Sequence, residues 1–102
     1  MDINEIKATV TTVGEFLRKL IETKCMNGIV ADDLSVQHGD DILCTVGLMH
    51  EFSPEAVYNC IFTEFAIKFE DTEEDNEILP LRFLDCVIDE HDGVSTIRIM
   101  VE

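Results

Sequence analysis

Residues 42–65 read ILCTVGLMHEFSPEAVYNCIFTEF, and this stretch decides the fold class. Its first half alternates along a strand. Ile42, Cys44, Val46 and Leu48 share one face, and Leu43, Thr45, Gly47 and Met49 share the other. Both faces are apolar enough to predict a strand that is central or lies at an interface. Ser53-Pro54-Glu55 then stops the strand and starts a helix. Serine suits an N-cap, proline the first helical position, and glutamate the positive end of the helix dipole. The spacing predicts a helix over 54–69. Val57, Ile61 and Phe65 form one apolar stripe, and Tyr58, Phe62 and Ala66 form the next.

Upstream, residues 29–50 predict a hairpin. Leu34 and Val36 alternate with polar neighbours, and His38-Gly39-Asp40-Asp41 supplies the turn. Downstream, residues 79–101 predict a second hairpin closed by Asp92-Gly93. Leu81 and Phe83 set one phase of alternation, whereas Leu84, Cys86 and Ile88 set the other. Such a one-residue shift predicts a β-bulge near residue 84. Ile97, Ile99 and Val101 alternate to the end.

Residues 2–24 predict one amphipathic helix. Asp2 and Glu5 fit a capping box. Ile3, Ile6, Val10, Val13, Leu17 and Leu20 follow at spacings of 3, 4, 3, 4 and 3. Thr9, Thr11, Thr12 and Gly14 oppose the helix, and Asn27-Gly28 suits its end. Packing against the sheet is the expected use of this apolar seam, with a homodimer contact as the competing use. Order and content together predict a single α+β domain over 1–102. Its elements run αββαββ, with two helices on one face of a roughly four-stranded antiparallel sheet. The two hairpin tips, 37–41 and 90–93, are alike, but the identity is too thin to establish a duplication.

Charge is the strongest compositional feature. Seven Lys and Arg stand against 22 Asp and Glu, a formal net charge of −15 on 102 residues. A small domain needs a magnitude of only about 2 to 8 for solubility. Hydrophobic residues make up 46% and the mean hydropathy is +0.11, which excludes a disordered acidic tail. Nucleic acid and anionic membrane are disfavoured as direct partners, because both are bound by Lys and Arg. The expected partner is a basic protein, such as a nuclease or another nucleic-acid-binding protein.

The acids are unevenly spread. Thirteen of the 22 lie beyond residue 51, set against Lys68, Arg82 and Arg98. Residues 70–77 hold six of them, in an expected loop over 70–78 that is mobile or held by a partner. The predicted partner-binding patch joins Glu70, Asp71, Glu73, Glu74, Asp75 and Glu77 with Asp85, Asp89, Glu90 and Asp92. A second patch gathers Asp32, Asp33, Asp40 and Asp41. Carboxylates held rigidly at such density can imitate nucleic-acid phosphates, which lie one per roughly 1.7 Å of duplex axis.

Other chemistries find little support. Cys25, Cys44, Cys60 and Cys86 form no CxxC pair, and each lies in or beside an apolar stretch. They are expected to be reduced, buried and structural in the cytoplasm (the host cytoplasm if the chain is phage-encoded). No signal-peptide pattern opens the chain, and no stretch of about 18 apolar residues is present. His38, His50 and His91 lie near Asp residues, but turn chemistry accounts for the tip residues and no metal motif is present. No glycine-rich phosphate loop appears, so no cofactor is expected.

The expectation is therefore a small non-enzymatic inhibitor that occludes the groove of a basic nucleic-acid-handling protein. In size, acidity and α+β content the chain resembles, at the level of class, phage anti-defence proteins such as anti-CRISPR proteins and DNA mimics. An immunity protein against a cationic nuclease toxin uses the same physics. The third reading is an acidic, dimeric secretion-type chaperone or adaptor that binds through apolar grooves.

Overall fold

The structure is a computed structural model that describes residues 2–67 and 72–102. Among them are α1 (Ile3–Thr9), α2 (Val13–Thr23), β1 (Val30–His38), β2 (Asp41–Glu51), α3 (Pro54–Glu64), a short 3-10 turn (Glu73–Asp75), β3 (Phe83–His91) and β4 (Val94–Val101). The fold is α+β, with a four-stranded sheet in the order β2-β1-β4-β3.

The N-terminal segment makes two helices where one was expected. Asp2 accepts from the Glu5 N–H and caps α1, as its spacing predicts. The chain then turns extended at Val10, and Thr12 caps α2 by accepting from the Glu15 N–H. The break falls in the β-branched run Thr9–Val13, and its backbone finds partners elsewhere. Val13 N–H donates to Leu81, Gly14 N–H to Leu79, and Phe83 N–H to Thr11. Extended pairing with residues 79–83 thus replaces a helical turn that β-branched residues support poorly. The apolar spacing survives because both helices face the same core. Ile6, Val13, Phe16, Leu17 and Leu20 are all fully buried. Phe16 stacks on Phe83 at 4.3 Å, which locks α2 onto β3. α2 ends where Lys24 adopts a left-handed φ of 58°.

The local signals around α3 hold. Ser53 accepts from the Ala56 N–H, and Pro54 opens the helix. The helix stops at Glu64, short of the predicted 69. Phe65 and Ile67 leave it to pair with residues 75–77: Ile67 N–H donates to Asp75 and Glu77 N–H to Phe65. Residues 68 and 69 of the predicted helix lie outside the described residues.

Both hairpins form. Asp92 and Gly93 take φ of 52° and 79°, the pair of positive values a type I′ turn needs. Leu84 is the extra residue between the pairs Phe83–Val101 and Asp85–Met100, which is the predicted bulge.

Two expectations about the sheet are corrected. It is mixed, because β1 and β4 pair in parallel. α3 returns the chain after β2, so β3 retraces the direction of β2 and β4 that of β1; the hairpins then meet through β1 and β4. Accordingly β2 is an edge strand, not a central one. Of its two apolar faces, Cys44, Val46 and Leu48 join the core while Ile42, Leu43 and Met49 are exposed. The order also shows that the hairpins are not equivalent, since one contributes its first strand to the centre and the other its last.

Candidate partner-binding surface

The register aligns residues of the sheet in cross-strand rows. Gly47, Asp33, Thr96 and Asp89 form one row; Thr45, Ser35, Arg98 and Val87 form the next. Directly opposed residues share a face, and these rows carry the polar side chains. Helix-side residues of the same strands (Leu34, Val36, Ile97, Ile99) are fully buried.

The parallel β1–β4 contact regroups the acids. It sets the start of β1 beside the β3–β4 hairpin tip. There Asp32 accepts from the Ser95 N–H at 2.9 Å, and Asp33 accepts from the Thr96 hydroxyl at 2.6 Å. Arg98 donates to Asp89 at 3.0 Å and to Gln37 at 2.9 Å, so one cation braces the middle of the face. Glu90 and Asp92 extend from the exposed tip, and the exposed Glu51 ends β2, opposite Val30. Six carboxylates therefore converge on one end of the sheet: Asp32, Asp33, Glu51, Asp89, Glu90 and Asp92. Arg98 is the Lys or Arg that pairs among them. His91 lies 3.3 Å from Asp92, with both side chains more than 80% exposed.

The remaining predicted site residues sit elsewhere. The acidic segment leads into β3 at its opposite end. Nine residues of strand at roughly 3.3 Å each separate it from the hairpin tip. Glu73 is engaged within the fold, accepting from Tyr58 and from Arg18. Asp75 accepts from the Thr72 hydroxyl at 3.2 Å, while Glu74 and Glu77 are exposed. Glu70 and Asp71 lie outside the described residues. Asp85 turns to α1, where Lys7 approaches within 3.0 Å and holds the carboxyl below the usual range, aided by the Cys86 N–H. The second predicted patch is divided: Asp32 and Asp33 join the hairpin tip, and Asp40 and Asp41 stay at the other end beside His38.

The described part of the acidic segment is anchored. Asn76 is buried at 1% exposure and its side chain makes four hydrogen bonds. Its amide donates to the Ile61 and Phe62 carbonyls, and its oxygen accepts from the Ile78 and Leu79 N–H groups. Sequence reasoning missed this residue, because Asn within an acidic run reads as loop. Its one signal is the position just before the apolar pair Ile78-Leu79.

Three of the four thiols are shifted away from activation. Burial pushes the Cys44 thiol up to about 11 and the Cys86 thiol up to about 12. Burial and then Glu64 push Cys60 up as well. A thiolate is the reactive form, so these environments oppose nucleophilic chemistry. Among the described residues, no three His, Cys, Asp or Glu are grouped so as to hold a metal ion. No helix among them is long and apolar enough to cross a membrane.

No protein-family model, no curated protein and no solved structure matches the chain.

Proposed function

We propose that this protein is a small, acidic, non-enzymatic inhibitor that occupies the basic groove of a nucleic-acid-handling protein in the cytoplasm. The observation that carries the reading is the convergence of six carboxylates on one end of a rigid sheet. Backbone, hydroxyl and guanidinium donors position three of them, Asp32, Asp33 and Asp89. Asp33 and Asp89 lie two strands apart in one row, roughly 10 Å at normal strand spacing. Lys and Arg of a partner groove would pair with this array and be denied to nucleic acid. Rigid placement matters, because ordering flexible acids on binding would cost affinity.

The class of partner is a nuclease or another nucleic-acid-binding protein, as for an anti-CRISPR protein or DNA mimic. An immunity protein facing a cationic nuclease toxin would present the same surface. The dimeric chaperone reading is less well supported, since Ile6, Val13, Leu17 and Leu20 of the first-helix seam are buried within the chain.

The test is capture of partners from host lysate, then a salt series on the purified pair. A basic nucleic-acid-binding protein should be retained and lose at least about tenfold in affinity between low and high salt. The triple reversal D89K/E90K/D92K should abolish capture. Affinity that is flat across salt, or unchanged by the reversal, would sink the reading.

A further inference from the structure

The two sheet edges are not alike. At β3 the edge is blunted: Leu84 bulges, α1 reaches it through Lys7 and Asp85, and Asp89 and Glu90 carry charge. These are the devices that keep a sheet edge from pairing. β2 has eleven residues and contains no Lys, Arg or Pro. It exposes Met49 at 91% and Ile42 at 60%. Register shifts opposite Val36–Gln37 and Ala31–Asp33, the latter beside left-handed φ values at Met49 and His50 (49° and 83°), bound its regular run, so the usable edge is Cys44 to Gly47.

Beside that edge lies a groove of about 230 Å³ between β2 and α3. Val46, Leu48 and Val57 form its buried floor, and Met49, Ala56 and Cys60 line it. Nothing lies within 4 Å of a Cβ built on Gly47, so the space there is open. One carboxylate lines the groove and a second stands beside it. Glu51 lines one end. Glu64 stands one helical turn beyond Cys60 and meets its thiol. Residues 41–64 hold Asp41, Glu51, Glu55 and Glu64 and no Lys or Arg.

We infer that the β2 edge and the β2–α3 groove receive an extended cationic peptide segment, which adds to the sheet as a fifth strand. Backbone pairing along the edge supplies affinity, and alternate side chains entering the groove supply specificity. Pro54 to Glu64 is eleven residues of helix, roughly 16 Å at 1.5 Å each. Five strand residues cover about that length. The fitting segment carries Lys or Arg at positions i and i+4 and an aliphatic residue at i+2. Charge selects this occupant over a second copy, which would bring another −15 and the same Glu51 and Glu64 to the groove.

The test is a nitrogen-15 NMR titration of the full chain with synthetic nonapeptides. They carry Lys or Arg at positions 3 and 7 and Val, Ile or Leu at position 5. Shifts should centre on Val46–Leu48, Ala56 and Cys60. Backbone N-methylation of the peptide should weaken binding at least tenfold, and a peptide with Glu at positions 3 and 7 should not bind. Ala56→Trp fills the groove from an exposed helix position, so it should keep the circular dichroism of the parent and lose binding tenfold. Glu64→Lys should weaken binding without filling the groove. D89K/E90K/D92K should bind the peptide normally, which separates this site from the acidic end of the sheet. Four results would each overturn the inference: no shifts at millimolar peptide, shifts centred on Asp32 and Asp92, equal binding of the N-methylated peptide, or a free protein that sediments as a dimer.

Discussion

Tyr58 donates its phenolic hydrogen to Glu73 at 2.6 Å, and this bond ties α3 to the acidic segment. The same carboxylate receives Arg18 of α2, with Nε at 3.1 Å and Nη2 at 3.2 Å. One acid of the 70–77 run thus joins three parts of the fold. Its charge is engaged within the fold and is not presented freely to a partner.

Burial first, and the Glu73 bond second, push the Tyr58 hydroxyl up to about 12. Tyr58 is the only tyrosine and tryptophan is absent, so absorbance near 295 nm reads it alone. The folded state holds the proton more tightly than the unfolded state, whose tyrosine titrates near 10. This contribution to stability is complete below pH 10 and is lost as pH rises from 10 to about 12. A titration should show one transition near 12. Glu73→Gln should move it down, though not fully to 10, because burial remains. A wild-type midpoint at 10 would exclude the bond in solution.

Gly14 tests the same contact from the helix side. A Cβ there would fall on the Glu73 carboxylate. Gly14→Ala gains about 1 kcal/mol of helix propensity and displaces the Glu73 side chain from its partners. Urea unfolding should therefore shift by no more than about 1 kcal/mol in either direction. The Tyr58 midpoint should nonetheless fall. An unchanged midpoint would show that Glu73 moves without losing Tyr58.

Asn76→Ala should be far more costly. It leaves the buried Ile78 and Leu79 N–H groups without their acceptor. The expected loss is about 2 to 5 kcal/mol, read from urea unfolding. Ser35 predicts the opposite. Its hydroxyl is buried and has no hydrogen-bond partner, so Ser35→Ala should be neutral or stabilising by up to about 1 kcal/mol. Equal effects of the two substitutions would contradict this assignment.

Thiol labelling separates the four cysteines, all of which are free. Cys25 and Cys60 are partly exposed and should react with a chromogenic disulfide in native protein. Cys44 and Cys86 are buried, with their thiols pushed up to about 11 and 12. They should react only at the rate of unfolding, whereas Cys60, its thiol pushed up by burial and Glu64, should react in native protein but more slowly than its exposure alone implies. Four fast equivalents at neutral pH would mean a looser core.

Legibility followed range along the chain. The Ser53 cap, the Asp92-Gly93 turn and the Leu84 bulge were all readable, because each depends on residues within a few positions. The break at Val10–Thr12 was hidden by an apolar rhythm that continues across it. Its cause is pairing with Leu79, Leu81 and Phe83, about seventy positions away. The anchoring of Asn76 was equally hidden, since its carbonyl partners are Ile61 and Phe62.

By itself the sequence determined a charge of −15, the apolar positions, the caps and turns, and so an α+β domain with two hairpins. Only the tertiary structure decided which acids stand together. Asp33 meets Thr96 across 63 positions because β1 and β4 pair in parallel. The same pairing makes β2 an edge strand. Strand neighbours are chosen by backbone hydrogen bonds and by the burial of whole faces, which no local pattern encodes.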